Sequence, residues 1–187
     1  MYLKRFSEPP LEIDHTWSLF LDRDGTINKL LRGDYVKNTR EFQFLPGALE
    51  ALSILNDVFL RVFIVTNQQG IGKGLMSEND LETVHGFMMQ EIEKNNGRID
   101  KIYYCPDLAD SGSHNRKPMP GMGLQAKKDF PEISLQKSIM IGDAETDMEF
   151  GKNLNMITVQ VGVTNTGASE KTDIICKDLL SFARELV

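Results

Sequence analysis

The stretch Trp17-Ser-Leu-Phe-Leu-Asp-Arg-Asp-Gly-Thr26 decides the fold. Its first five residues, Trp17 to Leu21, make the near-continuous apolar run of a strand buried on both faces. The run stops at Asp22-Arg-Asp24-Gly, where acidic residues and a glycine take over. The same pattern recurs downstream. Arg61-Val-Phe-Ile-Val65 gives way to Thr66-Asn-Gln-Gln-Gly-Ile-Gly72, and Ser138-Ile-Met-Ile141 to Gly142-Asp-Ala-Glu-Thr-Asp147. Lys101-Ile-Tyr-Tyr104 and Met156-Ile-Thr-Val-Gln-Val161 read as further strands, with Thr172-Asp-Ile-Ile-Cys176 a weaker sixth.

Helical stretches lie between them. Gly47–Asn56 follows Pro46 and carries Leu49, Leu52 and Leu55 on one side. Ser77–Lys94 opens on Ser77-Glu-Asn-Asp80, a capping box with Asp in place of the usual Glu. Leu81, Val84, Met88 and Ile92 then recur at helical spacing. Gly121–Asp129, Thr146–Leu154 and Asp178–Val187 complete the set. Strands alternating with helices predict an α/β fold, a Rossmann-like doubly wound parallel sheet with helices on both faces. Ligands in such sheets sit at the carboxyl ends of the strands, near the switch in strand order. Asp22, Asp24, Asp143 and Asp147 are therefore expected on one rim, beside Thr66, Asn67 and Lys117.

Length and composition bound the rest. The 187 residues are 41% apolar and 26% charged, ordinary for a globular protein and too few for two full domains. Residues 1–16, polar with Pro9-Pro10, read as a lead-in, and residues 17–187 as a single domain. The chain carries 21 basic and 27 acidic side chains, a net charge of −6. That balance argues against a nucleic-acid partner. No apolar run approaches the length of a membrane span, and the N-terminus has no apolar signal core. Two cysteines, Cys105 and Cys176, cannot build a disulfide framework. With nine methionines, they suit a reducing compartment. The expectation is a cytoplasmic protein with a small-molecule substrate, acting as a monomer, away from membranes.

Crowded carboxylates repel unless a cation joins them, and an all-oxygen donor set selects a hard ion such as Mg²⁺. A lysine with small hydroxyl and amide donors beside it suits phosphate oxygens. Two aspartates at i and i+2 after a strand can then divide the labour. One attacks phosphorus, and the other donates a proton to the leaving oxygen and later activates water. The pattern is that of hydrolytic phosphoryl transfer through an aspartyl-phosphate.

Asp22-Arg-Asp-Gly-Thr26, Thr66-Asn67, Lys117 and Gly142-Asp143…Asp147 resemble, in order and spacing, the four motifs of the haloacid dehalogenase (HAD) superfamily of phosphatases. The resemblance spans residues 17–167, about four-fifths of the chain. Phe20-Leu-Asp-Arg-Asp-Gly-Thr-Ile-Asn28, Thr66-Asn-Gln-Gln-Gly-Ile71, Tyr103-Tyr-Cys-Pro106 and Arg116-Lys-Pro-Met-Pro-Gly121 resemble one subfamily more closely. It holds the D-glycero-D-manno-heptose 1,7-bisphosphate phosphatases and the histidinol-phosphate phosphatases, whose Rossmann-like core has a minimal cap or none. The resemblance implies that Asp22 is nucleophile and Mg²⁺ ligand. It implies that Asp24 is acid/base, its carbonyl on Mg²⁺, and that Asp143 is a further ligand supported by Asp147. Thr66, Asn67 and Lys117 would hold the phosphoryl group. Gln68, Arg116 and the segment Arg32-Gly-Asp34-Tyr35 would contact a phosphorylated sugar.

The subfamily's zinc loop, of the form Cys-x-His…Cys-x-Cys, is broken here. Cys105 remains, but Asp107 takes the His position and Ser113 and Asn115 replace the Cys pair. One thiolate cannot build a closed tetrahedral site, so no structural zinc is expected. Ala144 stands where the subfamily often has a basic residue, so the resemblance implies removal of the 7-phosphate of a heptose 1,7-bisphosphate first, with histidinol phosphate second and a polynucleotide 3′-phosphate third. A phospho-accepting receiver domain uses a similar acidic cluster but lacks an acid/base at the position of Asp24. Singly, each aspartate would read as a turn residue or a helix cap, and it is the ordered set that points to chemistry. Gly70-Ile-Gly-Lys-Gly74 lacks the spacing of a P-loop. His85 and Met88-Met89 read as packing residues.

Overall fold

The computed structural model describes residues 12–163 and 167–187. Residues 1–11, most of the expected lead-in, lie outside these. Along the described residues the chain forms β1 (Ser18–Leu21), α1 (Ala48–Val58), β2 (Arg61–Asn67), α2 (Glu78–Lys94), β3 (Lys101–Cys105) and α3 (Gly121–Asp129). A short 3₁₀ turn at Leu135–Lys137 then leads into β4 (Ser138–Gly142), α4 (Glu145–Asn153), β5 (Ile157–Val161), β6 (Ile174–Cys176) and α5 (Leu179–Arg184). The strands form one parallel sheet in the order β3-β2-β1-β4-β5-β6. The chain winds outward from β1 to β3, then crosses back to start again at β4. The switch point therefore falls between β1 and β4, next to the motif after each of those strands.

Alternation along each strand divides the core in two. Leu19 and Leu21, with Ile64 and Ile141, face α1, α2 and α5, where Leu52, Leu55, Val84, Met88 and Phe182 are buried. Phe20, Phe63, Val65 and Met140 face the other way, against Met122 and Ala126 of α3 and Phe150 of α4. Leu55 is fully buried, and trimming such a side chain to Ala costs roughly 2–5 kcal/mol. Sequence-local signals hold at the ends. Ser77 Oγ accepts from Asp80 N–H at 3.1 Å while Asp80 Oδ2 accepts from Ser77 N–H at 2.8 Å, a complete capping box for α2.

Most boundaries differ from the sequence reading by one or two residues, and the ends of β2, α4 and α5 have a visible cause. Thr66 and Asn67 belong to β2, because β3 runs alongside and pairs Asn67 with Cys105. Helix α4 starts one residue early, after Ala144, whose N–H donates to Asp147 Oδ2 at 3.1 Å. Helix α5 is shorter than Asp178–Val187. Asp178 caps it through Ser181 N–H, and a Glu185 N–H to Phe182 C=O bond tightens its last turn. Between β1 and α1 the described chain is turns and single bridges, Asp24 with Asn28 and Asn28 with Phe44, rather than an inserted cap domain. No helix among the described residues is long and apolar enough to cross a membrane.

Candidate active site

Register brings the three motif-bearing strand ends level. Leu21 pairs with Ile64 on one side and Ile141 on the other, and Asp22 N–H continues the ladder to Ile141 C=O at 2.9 Å. Above these ends lies a cavity of about 190 Å³ lined by Asp22, Asp24, Thr66, Asn67, Lys117 and Asp143, among others. Two glycines let the motifs close on one another. Gly25 has φ 96°, and a Cβ there would lie 2.1 Å from Asp143 Oδ2. A Cβ on Gly142 would lie 2.2 Å from Asp147 Oδ2.

Lys117 organises the floor. It is 3% exposed, and its Nζ donates to Asp22 Oδ1 at 2.6 Å and Val65 C=O at 2.7 Å, with Asp147 Oδ1 also at 2.6 Å. All three ammonium donors are thereby satisfied. Asn67 fixes the lysine's backbone from both sides: its Oδ1 accepts from Lys117 N–H at 3.0 Å and its Nδ2 donates to Lys117 C=O at 3.1 Å. The Lys117–Pro118 peptide is cis. Burial works to lower the Lys117 pKa, but the Asp147 and Asp22 carboxylates outweigh it and raise it to about 12. Burial also raises Asp22, to about 8 against the pull of Lys117. It raises Asp143 to about 6, with Asp147 adding to the effect.

Asp24 is held differently. Its Oδ1 accepts from Asn28 Nδ2 at 2.9 Å, its Oδ2 from Gln68 Nε2 at 2.8 Å, and both oxygens from Arg23 Nη2, at 3.0 and 2.7 Å. Burial works to raise its pKa, but Arg23 and the two amides overcome that and lower it. The two aspartates of one tripeptide thus sit in contrasting environments, Asp22 against a buried ammonium and Asp24 against a guanidinium and two amides.

The other expected site residues fall into two groups. Thr66 and Gln68 are buried beside the cavity, joined by a Gln68 Nε2 to Thr66 Oγ1 bond at 2.8 Å. Arg116 lines a neighbouring cavity of about 300 Å³ together with Lys117, Pro118 and Thr146. Its Nη1 donates to Asp107 C=O at 3.0 Å. In the loop after β1, Arg32 is exposed, Asp34 pairs with Lys37 at 2.5 Å, and the Tyr35 hydroxyl accepts from Lys73 Nζ at 3.0 Å. The Cys105 thiol is buried against Asp107 Oδ2 at 3.4 Å and Ser113 Oγ at 3.7 Å.

Three polar residues around Asp24 escaped the sequence reading: Arg23, Asn28 and His85. Arg23 stood between the two aspartates and Asn28 four residues after the second, which is the only signal either gave. His85, read as a packing residue, does lie buried, but its Nε2 is 3.1 Å from Arg23 Nη1.

Asp22, Asp143 and Asp147 each offer a carboxylate oxygen within 4.8 Å of the others, the one such metal-type cluster among the described residues. The donors are all oxygen, and among the described residues Lys117 is the countercharge that pairs with Asp22 and Asp147. That set fits a hard divalent cation.

Comparison with known proteins bears on the fold and the family. Residues 114–182 match the family model of HAD-hydrolase-like proteins. The D-glycero-alpha-D-manno-heptose-1,7-bisphosphate 7-phosphatase of Mycobacterium bovis is 38% identical over 158 residues, 82% of this chain and 83% of that protein. The D-glycero-beta-D-manno-heptose-1,7-bisphosphate 7-phosphatase of Rhodopseudomonas palustris is 38% identical over 141 residues, 71% of this chain and 76% of that protein. The crystal structure of the D,D-heptose 1,7-bisphosphate phosphatase from B. bronchiseptica, complexed with magnesium and phosphate, superposes with a TM-score of 0.82 at 29% identity. That match covers 91% of this chain and 97% of the other. The parallel sheet and the sequence that builds it are thus shared with phosphoric monoester hydrolases, and the chain belongs to the HAD-superfamily phosphatases, in the family of the heptose-1,7-bisphosphate 7-phosphatases.

Proposed function

We propose that this phosphatase removes the 7-phosphate of D-glycero-D-manno-heptose 1,7-bisphosphate through an aspartyl-phosphate on Asp22. The observation that carries the chemistry is the floor formed by Asp22, Lys117 and Asp147, with Asp24 beside it in a contrasting environment. The heptose assignment is supported by relatives at 38% identity that carry that name.

Asp22 attacks phosphorus through a carboxylate oxygen, and the bond from phosphorus to the sugar oxygen breaks. Asp24 gives its proton to that leaving oxygen. It then takes a proton from the water that attacks the Asp22 acyl phosphate, releasing inorganic phosphate and restoring both carboxyl groups. Thr66 Oγ1 donates to a phosphoryl oxygen, and Lys117, its three donors on Asp22, Asp147 and the Val65 carbonyl, holds Asp22 in place and supplies positive charge beside the phosphoryl group. Asn67 keeps Lys117 in register, and Asp147 keeps its ammonium charged and aimed. A bound Mg²⁺, held by Asp22, the Asp24 carbonyl and Asp143, would neutralise charge on the phosphoryl oxygens.

Arg116 and the loop carrying Arg32, Asp34 and Tyr35, with Gln68 behind, face the rest of the sugar. The test is a screen of phosphorylated metabolites with Mg²⁺, covering both anomers of heptose 1,7-bisphosphate, their monophosphates and histidinol phosphate, ranked by kcat/KM. A heptose bisphosphate is expected at the head. Histidinol phosphate or another monophosphate ranking equal to it overturns the assignment.

A further inference from the structure

Arg23 is the largest fully buried side chain among the described residues. A buried guanidinium is costly unless its donors are met. Its Nη2 meets Asp24 and lies 3.3 Å from Gln68 Oε1, and its Nη1 lies 3.1 Å from His85 Nε2. Nε has no partner. A guanidinium can only donate, so His85 Nε2 is the unprotonated nitrogen of a neutral ring and accepts the bond. His85 sits on α2, 62 residues from Arg23, and does not line the phosphate cavity. A relay thus runs from α2 to the acid/base: His85 to Arg23 to Asp24, braced by Gln68, whose amide touches both Arg23 and Asp24.

Resting on the assignment of Asp24 as acid/base, we propose that His85 is a positioning residue for Asp24, acting through Arg23. With its Nη1 anchored on α2, the guanidinium keeps a fixed plane, and Nη2 presents the Asp24 carboxyl to the leaving oxygen. Without that acceptor, Nη1 joins Nε as a second unpartnered donor. The guanidinium then turns to find one and takes Asp24 with it.

Leaving-group dependence separates this from general loosening. A sugar alkoxide needs a proton to depart; 2,4-dinitrophenolate does not. kcat/KM reports only the steps through phosphoryl transfer, where Asp24 acts as acid. His85→Leu is expected to lower kcat/KM about 10- to 100-fold for an alkyl phosphate and under about threefold for 2,4-dinitrophenyl phosphate. His85→Gln, which places an amide oxygen where Nε2 was, is expected to recover the alkyl-phosphate rate to within about threefold of wild type. Asp24→Asn, run alongside, is expected to show the same asymmetry in full. Equal losses on both substrates, no loss, or a Gln variant no better than Leu overturns the proposal. If the Leu variant fails to fold by circular dichroism, His85→Asn, polar but too short to reach Arg23, takes its place under the same criteria. A symmetric loss in Asp24→Asn overturns the acid role and the proposal together. An asymmetric loss in Asp24→Asn that His85 variants lack overturns the proposal alone.

Discussion

Lys117 Nζ lies 2.6 Å from Asp22 Oδ1 although the two residues are 95 positions apart. The lysine reaches it from the segment between β3 and α3 and the aspartate from the end of β1, so the contact ties the crossover to the first strand. If Asp22 is the nucleophile, Asp22→Asn is expected to abolish phosphate release while leaving the circular dichroism spectrum unchanged, since an amide cannot supply the attacking oxygen. Asp24→Asn is expected to lower kcat/KM for an alkyl phosphate about 10²- to 10⁴-fold. Near-normal turnover by pure Asp22→Asn protein would falsify the mechanism.

The same lysine holds Asp147 at 2.6 Å, so its removal leaves two buried carboxylates without their cation. Breaking a buried pair from one side costs about 3–5 kcal/mol. Lys117→Met is expected to lose stability on that scale in urea titrations with chelator present, and to lose activity. Adding Asp147→Asn to Lys117→Met is expected to recover part of the stability and none of the activity. A double variant no more stable than the single one would show that Asp147 is not the lysine's counterion.

Much of this was legible in the chain because strand ends announce themselves. Leu21 to Asp22 and Ile141 to Gly142 are abrupt changes from apolar to polar, and parallel topology sends all such ends to one rim. The strand-end pattern carries the ordered aspartates and Thr66 there, and the four-motif resemblance adds Lys117. What the sequence did not show is which side chains bond to each other. Asn67 reads as a phosphate ligand but has both ends of its amide on the Lys117 backbone. Gln68 reads as a substrate contact, yet its amide bridges Arg23, Asp24 and Thr66. His85 shares its helix face with Leu81, Val84 and Met88, so periodicity sees an apolar stripe. Only the fold brings Arg23 against it.

His85 also sets a pH dependence of stability. Burial, then the charge of Arg23, lowers its pKa to about 3 from the ordinary 6.5. The unfolded chain therefore binds a proton that the folded chain refuses once pH drops below about 6.5. Stability from this group is fully present above that pH and declines as pH falls towards 3, by up to about 1.4 kcal/mol per pH unit. Urea unfolding at pH 7 and pH 5 is expected to show a smaller acid loss in His85→Gln than in wild type. Equal losses would mean that His85 is protonated in the folded protein.

The two metal expectations are separable. Chelation with EDTA is expected to stop turnover and added Mg²⁺ to restore it, because Asp22, Asp143 and Asp147 crowd their carboxylates with only Lys117 among them. Zinc is not expected to bind structurally. Burial raises the Cys105 thiol, which keeps it protonated against Asp107 and Ser113, and a closed zinc site needs four ligands with deprotonated thiolates. Elemental analysis finding one tightly held zinc per chain, with stability lost on its removal, would refute this.

Substrate choice comes down to Arg116. It adjoins Lys117 in sequence, so two cations arise from consecutive positions, one on the catalytic floor and one in the neighbouring cavity. Lys117 is committed to Asp22, Asp147 and a backbone carbonyl, whereas the contact from Arg116 Nη1 to Asp107 C=O engages one end of its guanidinium. A forked donor set of this kind matches a second phosphate. Such a remote phosphate raises kcat/KM when its binding helps to position the reacting group. A heptose bisphosphate is therefore expected to exceed the matching monophosphate in kcat/KM. Arg116→Ala is expected to erase most of that preference while leaving aryl-phosphate turnover within about threefold of wild type, since an aryl phosphate has no second phosphate to hold. If Arg116→Ala instead lowers every substrate by the same factor, the residue serves the transferred phosphoryl group, and the second phosphate must be recognised elsewhere, with Lys73, in the loop after β2 and against Tyr35, the next cation to test.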